Sequence, residues 1–292
     1  DFSAAITLAS SIEAPVIPPS MLFIIYGTLT GASIADLFMA GVIPGILLGV
    51  GFIIVIGIMN QKQQFPKSEK ATFQMIVKSL LRVLPAMLIP FTIIFGILGG
   101  VFTPTESAAI ACVIAFVIGL AYRELKLKDM PEILVNTVVN TATISFLIVT
   151  ANLFGFIIAY EQIPQLVANS MLGLSENPLI FLLLVNIFLL LIGTVLDGIA
   201  ALIILIPVML PLLATYQIDP VHFGVIVCIN LTIGLLTPPV GTGLFIVSSI
   251  AKVKFEDLIK SIMPFLAMAI LVLLILTYWE DAALWIPSLY KE

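Results

Sequence analysis

Hydroxyl-bearing and glycine residues flank two Pro-Pro pairs in this chain, in an arrangement suited to ion chemistry. The first cluster reads Ser10-Ser11-Ile12-Glu13-Ala14-Pro15-Val16-Ile17-Pro18-Pro19-Ser20. The second reads Asn230-Leu231-Thr232-Ile233-Gly234-Leu235-Leu236-Thr237-Pro238-Pro239-Val240-Gly241-Thr242-Gly243. A Pro-Pro pair cannot continue a helix from the turn before it, because two N–H donors are missing and the rings clash with that turn. The residue ahead of each pair is also pushed out of helical geometry. Each pair therefore splits a helix and leaves two opposite helix ends at one depth. The half before the break ends in carbonyls with partial negative charge, and the half after it opens with N–H groups of partial positive charge. Carbonyls and hydroxyls of Ser10, Ser11 and Ala14, and of Asn230, Thr232, Gly234 and Thr237, suit a dehydrated Na⁺. The N–H groups that follow, from Ser20 and from Val240, Gly241, Thr242 and Gly243, suit a carboxylate.

Three acids bear on these breaks. Asp197 lies in Gly193-Thr194-Val195-Leu196-Asp197-Gly198, where a carboxylate at membrane depth is costly and functional by default. It also fits as the N-cap of a helix starting at Ile199. Glu13 is either a proton or cation ligand or faces a wet cavity. Glu106, after Thr103-Pro104-Thr105, reads as a capping carboxylate. Asn136, Asn140, Thr143 and Thr150 form a polar stripe suited either to joining helices or to a substrate surface. His222, beside Asp219-Pro220, is expected at the surface or in a cap. Cys112 and Cys228 lack metal-like spacing and are expected to be buried thiols.

The elements that must position these groups are membrane helices. Of 292 residues, 61% are hydrophobic and only 10% charged, with mean hydropathy +1.24. Apolar windows over 37–59, 85–102, 108–121, 144–159, 179–196, 199–214 and 262–279 approach or exceed the length that crosses a bilayer. A membrane β-barrel would alternate in polarity, and this chain does not. Nothing in the charge pattern points to nucleic acid. The 12 Lys and Arg fall in 60–84, 123–128, 252–260 and at Lys291, which places the three clusters on the cytoplasmic side. The polar turns 28–36, 160–178, 215–222 and 279–290 then face outward. Residues 73–84 read as an amphipathic cytoplasmic segment ending at Pro85. Residues 178–215 read as a hairpin entering from outside and turning near Gly193–Gly198.

Pro18 and Pro238, Pro19 and Pro239, Asp36 and Glu256, and Pro44 and Pro264 are all 220 residues apart. With the sidedness above, the first interrupted helix runs inside to outside and the second the other way. The expected fold is an all-α polytopic membrane protein with inverted repeats, interrupted helices and a re-entrant hairpin. Residues 1–59 would close the first repeat, 60–84 form a cytoplasmic loop and amphipathic helix, and 85–292 form the second repeat. Matched broken segments of this kind mark a transporter's binding site.

Several stretches together resemble the large membrane subunit of TRAP (tripartite ATP-independent periplasmic) transporters. They are Ser10-Ser11 with Pro18-Pro19-Ser20, Gly99-Gly100-Val101-Phe102-Thr103-Pro104-Thr105-Glu106, Leu196-Asp197 with Ala200-Ala201 and Pro207, Ile218 to Gly224, and Ile233 to Gly241. Ala14 stands where that family often has Gly, and Glu13 where it is apolar. The resemblance implies an elevator-type member of the ion-transporter superfamily. It implies Na⁺-coupled uptake of organic acids such as C4-dicarboxylates, sialic acid or sugar acids, in the bacterial inner membrane. It also implies a periplasmic substrate-binding protein and a small four-helix membrane subunit, separate or fused. One Na⁺ site would use Ser10, Ser11 and Ala14, and the other Asp197, Thr232, Gly234 and Thr237. The family's first hairpin is expected upstream of Asp1. The rival readings are a stand-alone Na⁺–dicarboxylate symporter and, more distantly, a passive channel. A hydrolase would need a Ser/His pair, an Asp dyad or a zinc motif, and the sequence shows none.

Overall fold

The computed structural model describes residues 2–63, 72–162, 166 and 175–290. Lys67, Lys70, Lys291 and most of the expected turn 160–178 lie outside them. The described chain forms helices α1 (Phe2–Ser11), α2 (Met21–Thr30), α3 (Ile34–Gln63), α4 (Phe73–Leu98), α5 (Pro104–Ala121), α6 (Met130–Tyr160), α7 (Pro178–Gly193), α8 (Gly198–Tyr216), α9 (Pro220–Gly234), α10 (Thr242–Ala251), α11 (Phe255–Tyr278) and α12 (Asp281–Leu289). Six of the described helices are long and apolar enough to cross a membrane. The chain is therefore an all-helical, multi-pass membrane protein.

Helix ends fall where local chemistry puts them. Asn177, Asp197 and Asp219 each accept a bond from a backbone N–H at the start of α7, α8 and α9, at 2.8, 3.0 and 2.7 Å. Such side chains satisfy donors that a new helix leaves unpaired. Thr103 and Glu106 form a reciprocal capping box at α5, with Pro104 at its first position, as the sequence led us to expect. The expected boundary at Pro85 does not exist: α4 runs unbroken through Pro85 and Pro90. A single proline removes one internal bond and bends a helix, whereas two adjacent ones remove two bonds in the same turn. The stretch after Trp279, expected as a turn, holds the short helix α12.

The chain divides into two compact units, residues 1–59 with 147–292, and residues 60–146. In the first unit α9 lies at the centre. Every residue from Val221 to Gly234 is buried, and α7, α8, α11 and α2 pack around it. Burying polar groups this deep is costly unless they are paired, and Asn230 Oδ1 has no partner among the described residues. Asn230 Nδ2 donates to Asn186 Oδ1 at 2.8 Å, and Asn186 Nδ2 donates to Thr277 Oγ1 at 2.8 Å. His222 is buried rather than at the surface, its Nε2 2.8 Å from the Leu276 carbonyl oxygen. Packing on all sides of α9 covers it, which its position beside a helix start does not reveal. Cys228 is buried in the same helix, whereas Cys112 is exposed, because among the described residues only α4 packs extensively on α5.

In the second unit α4 and α5 form a closely packed hairpin. Its turn is held by the Val101 and Phe102 N–H groups, which both donate to the Gly96 carbonyl, at 3.1 and 2.9 Å. Asn136, Asn140 and Thr143 of the polar stripe are exposed.

Candidate functional site

Both Pro-Pro pairs interrupt a helix. The first break separates α1 from α2 and the second separates α9 from α10. Both Pro-Pro bonds are cis. The two interrupted helices pack antiparallel. Leu8 of α1 meets Gly243 of α10, where an added methyl would stand 2.8 Å from Leu8 Cδ1. Tyr26 of α2 meets Gly224 of α9, where a methyl would stand 2.5 Å from the ring. Residue numbers thus fall on one copy as they rise on the other. Tyr26 Oη also donates to the Pro220 carbonyl at 2.6 Å, joining the second half of one copy to the start of the other.

Each break is backed by a glycine contact. Around the first, Gly41, Gly45 and Gly49 of α3 form a ladder at four-residue spacing, one helical row. Gly41 faces Phe23 and the Val16 carbonyl, Gly45 faces Ile17, and Gly49 faces the Glu13 carboxylate. Around the second, Gly234 lies against the hairpin tip. A methyl there would be 2.5–2.6 Å from the backbone of Gly193. The Gly241 N–H donates to the Thr194 carbonyl at 3.0 Å, so the tip is bonded to the residue that opens α10. Gly241 has φ +50°, which glycine adopts without strain.

A cleft of about 390 Å³ is lined by all three pieces. Ala14, Pro15 and Pro19 come from the first break, Asp197, Gly198 and Ile199 from the hairpin tip, and Leu231, Thr232 and Leu235 from the end of α9. Of the residues singled out in the sequence, Ala14, Asp197 and Thr232 line it. Gly234 and Gly241 are buried behind it against the tip. Ser20 is buried, caps α2 by accepting from the Phe23 N–H at 3.3 Å, and donates to the Pro15 carbonyl. Thr242 and Gly243 form the first turn of α10. Glu13 does not line the cleft, since its carboxylate is turned onto α3.

The hydroxyls expected at the two cation sites are bonded back onto their own helices, as are Thr7, Thr28, Thr92 and Thr137 elsewhere. Ser10, Ser11, Thr232 and Thr237 each donate the hydroxyl hydrogen to a backbone carbonyl three or four residues earlier, at 2.7–2.9 Å. A hydroxyl whose hydrogen is committed in this way presents lone pairs outward. Asp197 is exposed and accepts from the Ile199 N–H through Oδ1, so its capping role holds. Among the described residues no group of three or more His, Cys, Asp and Glu could hold a metal ion. Sequence reasoning missed the backing glycines of α3. Their four-residue spacing was visible, but what they face was not.

Broken helices, a hairpin tip sharing a cleft with both, and six candidate spans among the described residues define a multi-pass membrane protein with interrupted helices. Comparison with known proteins narrows the class. Residues 1–282 match the family model for the Tripartite ATP-independent periplasmic transporter, DctM component. The chain is 38% identical over 291 residues to the sialic acid TRAP transporter large permease protein SiaM of Vibrio cholerae, covering 99% of this chain and 68% of that one. It is 36% identical to the C4-dicarboxylate TRAP transporter large permease protein DctM of Pseudomonas aeruginosa, covering 98% and 67%. It is 37% identical to the isethionate TRAP transporter permease protein DctMQ of Oleidesulfovibrio alaskensis, covering 95% and 44%. The chain belongs to the DctM family of TRAP transporter large permeases.

Proposed function

We propose that this chain is the permease part of a Na⁺-coupled secondary transporter that imports organic acids across the bacterial inner membrane. The observation that carries the reading is the cleft where both breaks and the hairpin tip converge, with Asp197 on its wall. Two Na⁺ ions would bind at the interrupted helices, one near Ser10, Ser11 and Ala14, the other near Asp197, Thr232, Gly234 and Thr237. The hydroxyl lone pairs at both positions are compatible with this. A carboxylate cargo would then meet the N–H groups at Ser20 and at Gly241, Thr242 and Gly243. Of these, the Gly241 N–H already serves the Thr194 carbonyl, which leaves Thr242 and Gly243 as the better anion donors of that run.

The antiparallel packing of the broken helices supports an inverted-repeat design, in which one sequence unit serves both access directions. The unit of residues 1–59 and 147–292 would be the moving part of an elevator. Residues 60–146 would belong to its support. The relatives' names include sialic acid, C4-dicarboxylate and isethionate, which supports a small organic anion as the cargo. A periplasmic binding protein would deliver it, and a small four-helix membrane subunit would complete the permease.

The test is uptake into proteoliposomes containing the full permease, under an imposed Na⁺ gradient, with and without the binding protein. Uphill accumulation that needs both is expected. Accumulation without the binding protein would favour a stand-alone symporter, and equilibration without accumulation a channel. Asp197→Ala should bring Na⁺-driven uptake to background. Unchanged uptake and Na⁺ dependence in that variant would remove Asp197 from the ion site.

A further inference from the structure

We propose that the end of the α4–α5 hairpin carrying Lys78, Arg82 and Arg123 binds one anionic phospholipid, with its phosphate on these side chains and an acyl chain laid along α4. In sequence these residues belong to two separate clusters. The fold joins them: Tyr122 Oη, at the end of α5, donates to the Arg82 carbonyl at 3.0 Å. Helix α5 stops there because Arg123 turns left-handed, φ 60°. The chain then folds back, with the Glu124 and Leu125 N–H groups both donating to the Gly119 carbonyl at 3.1 Å. Arg123 is exposed and follows Tyr122, whose hydroxyl reaches Arg82; Lys78 and Arg82 are themselves exposed and one helical turn apart on α4. Lys126 and Lys128 extend the same end.

Beside this charge runs an apolar groove of about 520 Å³, lined by Met75, Ile76, Ser79, Leu80, Val83 and Met87. At 3.6 residues per turn, Lys78 and Arg82 border its Met75–Ser79 edge. Met75, Ile76, Leu80 and Val83 are each 50–62% exposed, which is unfavourable in water and neutral against a hydrocarbon tail. Three acids share this end: Glu124, Asp129 and Glu132. Asp129 is turned onto the Lys126 backbone N–H at 3.3 Å.

An apolar floor with a basic rim matches an amphiphile with an anionic head. The positive-inside rule puts this end at the cytoplasmic interface, where anionic headgroups attract Lys and Arg. A guanidinium also fits phosphate through paired hydrogen bonds. A buried apolar helix as occupant would leave that rim unanswered.

The test uses the full permease in nanodiscs of phosphatidylcholine alone or with phosphatidylglycerol, followed by native mass spectrometry of retained lipid. One phosphatidylglycerol should persist on the protein. Lys78→Gln and Arg82→Gln should each weaken its retention about fivefold. Ser79→Trp, which fills the groove and leaves every charge, should displace it too, with thermal unfolding of the variant unchanged as the folding control. A photo-crosslinker at position 79 should label lipid. Retention of phosphatidylcholine and phosphatidylglycerol alike, or full competition by inorganic phosphate, would overturn the proposal. So would crosslinking to a polypeptide instead of lipid.

Discussion

The two breaks share a sequence plan and are closed by different means. The first is backed by a helix, with Gly41, Gly45 and Gly49 of α3 receiving Phe23, Ile17 and Glu13. The second is backed by a hairpin tip, backbone against backbone, at Gly193 and Gly234. The first opens its second half with a side-chain cap, Ser20. The second opens its own with Gly241, which has no side chain to cap with and bonds the tip through its N–H instead. The register-mate of Glu13 is Ile233, fully buried. At this one register position the second break is sealed by an apolar side chain, whereas the first tolerates a carboxylate. Pseudo-symmetry in sequence places two equivalent ruptures, but each is stabilised by whatever packs behind it.

Four substitutions sharpen that contrast, in falling order of effect. Gly234→Ala would push a methyl into the Gly193 backbone, which cannot move without carrying the hairpin tip away. We expect loss of more than about 4 kcal/mol and no measurable uptake. Near-native thermal unfolding of this variant in detergent would show that the tip is free to shift. Gly41→Ala meets the Phe23 ring and the Val16 carbonyl. The ring can partly rotate aside, so a cost of about 2 kcal/mol is expected, read as a lowered melting temperature with residual uptake. Ser20→Ala removes the cap of α2 and should cost about 1 kcal/mol. No corresponding loss is available at the second break, where the cap has no side chain. Gly49→Ala places a methyl 3.7 Å from the Glu13 carboxylate oxygens, ordinary contact, and should stay within about 0.5 kcal/mol. A loss comparable to Gly41→Ala would mean that the Glu13 side of the break is as tightly packed as the rest.

Much of the element order was legible because its signals are local. Proline pairs stop helices, Asp and Asn before an apolar run start them, and long apolar windows need a bilayer. The hairpin tip, expected near Gly193–Gly198, lies between α7 and α8 at those residues. Pro85 misled because a lone proline inside a long apolar helix bends it without ending it. His222 misled because proximity to a helix start says nothing about what covers that start. Within the candidate site, Ala14, Asp197 and Thr232 were recognisable by chemistry and do share one cleft. The turning of Glu13 away from it, onto α3, had no sequence signal, since it depends on a glycine 36 positions later.

The amino-acid sequence alone determined that the chain is helical, membrane-embedded and twice interrupted, because hydropathy and proline chemistry act over a few residues and need no partner. Which groups meet was decided only by the tertiary structure. Antiparallel packing carries Leu8 to Gly243 and Tyr26 to Gly224, and the hairpin brings Asp197 to the first break, because close backbone approach is possible only where glycines from distant segments coincide.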